Sequence, residues 1–193
     1  MCQLTAQTLF PGARQTQEYD IIMRMSALSN LVSIEEYLRN TYHPDCDYVD
    51  GAIVERNVGG KDHAKAQREV LLYLHQHQRQ WGIFVIQEQC VQVSPSRYRA
   101  PDVCVVLGPE PDEQIFTKPP FLCIEVLSPE DRLSRMQEKI DDYLRFGVRY
   151  VWLIDPYQRR AWIYTQDQIR EVRDGLLRTA EPEWIVPLAE VLG

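Results

Sequence analysis

Two carboxylates stand in segments that otherwise read as buried strand. Asp102 follows Arg99-Ala-Pro and opens the run Val-Cys-Val-Val-Leu, and Glu125 interrupts Phe121-Leu-Cys-Ile-Glu125-Val-Leu-Ser-Pro. A charge moved from water into apolar surroundings is costly unless something compensates it. A divalent metal held between two such carboxylates is the commonest chemical compensation. Lys139, in the next amphipathic segment, adds an ammonium that can position a water or stabilise transition-state charge. Two acids, a lysine and a metal point to metal-assisted hydrolysis, with a phosphodiester as the substrate class.

Each of these residues also has a plainer explanation. Pro101 fixes an extended backbone and cannot donate to a ladder, so Asp102 belongs at a strand mouth, where an Asp can simply be solvated. Glu is rarely buried unless paired, so Glu125 could belong to a structural ion pair. A shared metal would instead lower its pKa. Leu133, Met136, Ile140, Tyr143 and Leu144 form an apolar stripe at helical spacing, with Lys139 at its edge. There its ammonium can reach the sheet, or its stem can lie buried with the head in water. His63, at a helix start, and Glu55, ending a hairpin strand, are auxiliary candidates, Glu55 as an orienting acid or a second-metal ligand. Glu88 sits between Gln87 and Gln89 and reads as strand surface. Arg132, Arg135, Arg145 and Arg149, with Arg97 and Arg99, could face a phosphate or merely form a solvated face.

Elements must bring these side chains together. Residues 1–30 are polar and read as a flexible N-terminal extension, with Met23 and Met25 as alternative starts. Ser33-Ile-Glu-Glu36 fits a capping box for a helix over 33–39. Asp50-Gly51 between apolar residues signals a hairpin over 48–55. Gly59-Gly60 breaks the chain, and Asp62 caps a helix to about residue 80 with Val70, Leu74, Trp81 and His63 on one stripe. A strand over 83–93 and a turn at 94–96 follow. Strands are expected at 102–107 and 121–127, a helix at 131–146 stopped by Gly147, and a strand at 150–154. Antiparallel strands at 161–164 and 169–172, turned by Asp174-Gly175, precede an apolar tail over 184–192. The order suits a central mixed β-sheet flanked by helices, in the α/β or α+β class.

A chain of 193 residues fits one domain, taken here as residues 31–193. The net charge of −7 argues against broad nucleic-acid binding through global charge, though not against a local basic groove. Five cysteines without a CxxC pair give no structural zinc site. Their odd number and the lack of a signal peptide favour a reducing cytoplasm. No apolar run approaches the roughly 18 residues of a membrane span.

The strings Pro-Asp102, Ile-Glu125-Val-Leu-Ser-Pro, Lys139 and Gly147-Val-Arg-Tyr-Val-Trp-Leu-Ile-Asp155-Pro together resemble the Uma-two family, described as restriction endonucleases of the PD-(D/E)xK nuclease superfamily. The resemblance spans most of residues 33–190 and includes Asp50-Gly51 and His63. It implies a restriction-endonuclease-like core that cleaves DNA, with Asp102 and Glu125 as ligands of Mg2+ or Mn2+ and Lys139 as the catalytic lysine. The position two after Glu125 is Leu127 rather than lysine, so the ammonium would have moved to the helix. By analogy with the superfamily, a homodimer is the expected assembly. Two readings compete with this one. One is a nucleic-acid-binding or interaction module on the same fold without catalysis. The other is a structural subunit with core ion pairs and a dimer surface at Trp184 and Ile185. Asp102→Asn should cost stability if the acid is ion-paired, and be neutral or stabilising without metal if it belongs to a repulsive carboxylate pair.

Overall fold

In a computed structural model describing residues 31–57 and 59–192, Asp50-Gly51 turns β1 (Cys46–Val49) into β2 (Ala52–Glu55). Both turn residues have positive φ, 51° and 95°, as a type I′ hairpin requires. The extension expected over residues 1–30 lies outside the described residues. Ser33 caps α1 (Ile34–Arg39), its side chain accepting from the Glu36 N–H.

Helix α2 (Lys61–Trp81) has Gly60 at its N-cap without a side-chain cap. This corrects the expectation for Asp62, which lies in the first turn, where its charge complements the helix dipole. His63, Ala66, Val70 and Leu74 form the buried face. The strand expected over 83–93 is two strands, β3 (Ile83–Gln87) and β4 (Val91–Ser94). Glu88 has a φ of 51° between them. β3 pairs with β6 (Val103–Leu107), whereas β4 pairs with β5 (Arg97–Arg99), so the break passes the chain from one sheet to another.

The smaller of these sheets runs β2-β1-β5-β4. The central sheet runs β10 (Ile169–Glu171), β9 (Arg160–Tyr164), β8 (Tyr150–Asp155), β7 (Leu122–Val126), β6 and β3. Its parallel pair is β7 with β8, joined through α3 (Leu133–Phe146), which stops at Gly147 with a φ of 109°. Side-chain alternation divides the core between the two faces. Leu122, Ile124 and Val126 join Ala66, Val70 and Leu74 of α2, while Cys123 joins Met136, Ile140 and Tyr143 of α3. The same parity turns Glu125 toward α3.

β9 and β10 pair antiparallel. Asp174-Gly175 is not their turn; it precedes β11 (Leu176–Ala180), which pairs with β12 (Glu183–Pro187). α4 (Leu188–Leu192) completes the tail. Trp184 is only 3% exposed and stacks on Trp81 at 5.3 Å, so this ring is core rather than a dimer surface. Among the described residues no helix is long and apolar enough to cross a membrane.

Candidate active site

Asp102, Glu125 and Lys139 meet at the floor of a cavity of about 530 Å³, although they come from a strand entrance, a strand and a helix. Antiparallel β6 and β7 place Val103 opposite Ile124, which sets Asp102 beside the end of β7. Asp102 Oδ2 accepts the Val126 N–H at 2.7 Å. The Asp102 carbonyl accepts from Glu88 N and from Gln67 Nε2, both at 3.2 Å. Its position is thus held by backbone on two sides.

Glu125 is 2% exposed. Lys139 Nζ donates to its Oε2 at 2.9 Å and the Tyr143 hydroxyl donates to its Oε1 at 2.8 Å. Burial pushes the Glu125 carboxyl up to about 7; Lys139 opposes the rise and Asp102 adds to it. Lys139 sits deep enough that burial works against its charge, yet Glu125 holds its pKa above the ordinary lysine value. The ammonium therefore stays charged, and Glu125 is the group that titrates near neutrality. Burial and then Glu125 push the Tyr143 hydroxyl far up, so it remains a donor.

Lys139 Nζ also donates to the Ala100 carbonyl at 2.9 Å. That peptide is fixed from behind. Asp47 Oδ1 accepts the Ala100 N–H at 3.2 Å, and Asp47 Oδ2 accepts from Arg99 Nη1 at 3.2 Å. Arg99 also donates to Asp142 on α3 through Nε at 2.9 Å and Nη2 at 2.7 Å. These buried charges clamp the smaller sheet to the helix that carries Lys139.

His63 enters the site: its Nε2 lies 3.4 Å from Asp102 Oδ2. The carboxylate only accepts, which assigns the proton to Nε2. Nδ1 is buried without a partner among the described residues, and a Cβ on Gly59 would lie 2.1 Å from it, so only glycine passes over this ring. Glu55 reaches the cavity rim as an exposed side chain, with its charge felt by Cys46. The residue that enters the site from this strand end is its neighbour Arg56, whose Nη2 donates to Asp102 Oδ1 at 3.2 Å. Sequence reasoning missed Arg56, because a lone arginine past a strand end carries no local signal. Glu88, expected on a strand surface, also lines the cavity. Of the candidate phosphate-facing arginines, Arg97 and Arg99 are bound to Asp50, Asp47 and Asp142. Arg145 pairs with Asp141, and Arg149 donates to the Glu181 carbonyl. Arg99 lines the cavity from within this clamp, whereas Arg132 and Arg135 line it free of side-chain partners among the described residues.

The two carboxylates fit a hard divalent cation. Both carboxylates line the same cavity; burial first and then Asp102 raise the Glu125 pKa, and a hard cation between the two acids would offset both. Among the described residues no group of three or more His, Cys, Asp or Glu gathers around a metal position. The protein side chains would therefore be two carboxylates, a set Mg2+ accepts by keeping waters and substrate oxygens.

Residues 34–191 match the model of the Uma2 family, described as "Putative restriction endonuclease". A crystal structure described as "a putative nuclease belonging to DUF820 from Anabaena variabilis" superposes with a TM-score of 0.72 at 20% identity, covering 83% of this chain and 97% of that one. At that identity the likeness is one of fold. No curated protein matches the chain.

Proposed function

The chain belongs to the Uma2 family, and from that premise we propose that it is a divalent-metal-dependent endonuclease hydrolysing phosphodiester bonds of DNA. The observation that carries the reading is the buried Lys139 ammonium 2.9 Å from Glu125 at the floor of an open cavity that Asp102 also lines. Asp102 and Glu125 would hold Mg2+ or Mn2+. When bound, the ion supplies Lewis-acid polarisation of the phosphate and eases ionisation of water.

The chain's own residues do the rest. Lys139 is a charged donor with two of its three N–H groups placed on Glu125 and Ala100. The third has no partner among the described residues and can serve the attacking water or a phosphoryl oxygen, so the lysine orients and stabilises rather than removing the proton. Tyr143 fixes the Glu125 carboxylate from the opposite side. His63 and the Val126 N–H fix that of Asp102. We assign residues 31–193 to one nuclease domain acting in the cytoplasm, and two copies to the cutting of both strands of a duplex.

One observation favours a catalytically inactive binding module instead: both carboxylates already have cationic partners in Arg56 and Lys139. Calorimetric titration of Mn2+ and Mg2+ into EDTA-stripped protein separates the two. Saturable binding that vanishes in the Asp102→Asn/Glu125→Gln double variant supports the nuclease. So does Lys139→Met binding metal while DNA cleavage falls 10²-fold or more, roughly the loss of one transition-state donor. A wild type that binds no metal and cuts no DNA overturns it.

A further inference from the structure

Arg56 enters the cavity with most of its donors idle. Its side chain is 16% exposed, and its Nη2 donates to Asp102 Oδ1. Among the described residues it makes no other side-chain hydrogen bond. A guanidinium carries five N–H donors in a planar fork. Among the described residues the buried side-chain polar atoms left unpaired are His63 Nδ1 and Trp152 Nε1, so the remaining Arg56 donors are not sealed in protein. The cavity that Arg56 lines is the open space beside it. Burial opposes the charge, but Asp102, Glu125, Asp47 and Glu88 sustain it. The site thus holds a permanent cation, pinned at one corner, with the rest of its fork unpaired beside the cavity floor. Neutralising Asp102 alone would not need a fork. A planar pair of N–H donors matches two oxygens of a tetrahedral oxyanion.

We propose that Arg56 is the phosphate-binding residue of this site, its guanidinium bridging Asp102 and two non-bridging oxygens of a phosphoryl group. The assignment of that phosphate to a phosphodiester rests on the nuclease reading; the subsite itself does not.

The test is calorimetric titration of inorganic phosphate into the Mg2+-supplied and the EDTA-treated protein, with Mn2+ titrated separately. Wild type should bind phosphate saturably in at least one of the two conditions. Arg56→Gln should weaken that binding about 10- to 100-fold, the range for a charge-assisted contact. Arg56→Lys keeps the charge but not the fork, and should fall between the two. Arg145→Gln, on an exposed α3 position outside the cavity, should leave affinity unchanged. Thermal melts establish that each variant is folded. The proposal is overturned by absence of phosphate binding in both conditions, by unchanged affinity in Arg56→Gln, or by full wild-type affinity in Arg56→Lys. Arg56-dependent phosphate binding without Mn2+ binding would sink the metal-nuclease reading and leave the subsite standing. Mn2+ binding without phosphate binding would do the reverse.

Discussion

Asp102 has more partners than its sequence context suggests, and they change what its removal should do. The backbone N–H of Val126, Arg56 and His63 all meet its carboxylate. A carboxylate pair in mutual repulsion would make Asp102→Asn neutral or stabilising without metal; compensation by Arg56 reverses that expectation. In EDTA the substitution should lower stability by about 1–3 kcal/mol, since it leaves a half-buried guanidinium facing an amide. Urea midpoints read this directly, and an unchanged midpoint would mean that Arg56 does not balance the acid. Glu125 makes a pH-dependent prediction. Its folded pKa, about 7, lies above the roughly 4.3 of an unfolded Glu. The folded protein therefore binds this proton more tightly, and stability falls as pH rises from about 4 to about 7, then levels. Glu125→Gln should remove a decline on the order of 3 kcal/mol over that window, measured without metal. Parallel pH profiles for wild type and variant would place the burial penalty elsewhere.

Helix α3 positions Lys139, and the helix is itself held by charge rather than by packing alone. Asp142, 5% exposed, receives two N–H groups from Arg99, which is 4% exposed. Removing one member of a buried pair leaves the other uncompensated, so Asp142→Ala should cost about 3 kcal/mol. The same arginine fixes the peptide whose carbonyl receives Lys139, so cleavage should fall further than stability requires at permissive temperature. Asp50, half exposed, pairs with Arg97 at the hairpin turn, where solvent screens the interaction. Asp50→Asn should therefore change stability by less than about 1 kcal/mol. Denaturant melts of the two variants together test whether the buried clamp and the surface pair differ as their burial demands.

Across the whole molecule, a net charge of −7 leaves little general attraction for nucleic acid. At the cavity, Arg56 has idle donors, and Arg132 and Arg135 have no side-chain partner among the described residues. Each phosphate neutralised on duplex DNA contributes about 0.9 to the slope of log affinity against log salt, so three give a slope near −3. Anisotropy with a labelled duplex over a salt series measures it. A slope steeper than about −5 would reveal a basic surface that the described residues do not present.

Asp102 and Glu125 were legible from the sequence because a charge opening or interrupting an apolar run is an anomaly that needs no knowledge of distant partners, and Lys139 because it falls at the edge of a helical apolar stripe. The hairpin at Asp50-Gly51 and the helix stop at Gly147 were legible for a similar reason, since positive φ is a local demand. The arrangement of a mixed sheet with flanking helices followed from element order. Tertiary structure decided the rest. Period-two alternation continues on both sides of Glu88, so the break between β3 and β4 depended on which sheet each half could join. Arg99 and Asp142 look like ordinary surface charges until strands and helix bring them together across 43 positions. Arg56 follows a strand end, where alternation cannot say which neighbour turns inward; only the tertiary fold sends the arginine, and not Glu55, to Asp102. Burial of a charge can be read along the chain, but the identity of its partner depends on contacts between segments far apart in it.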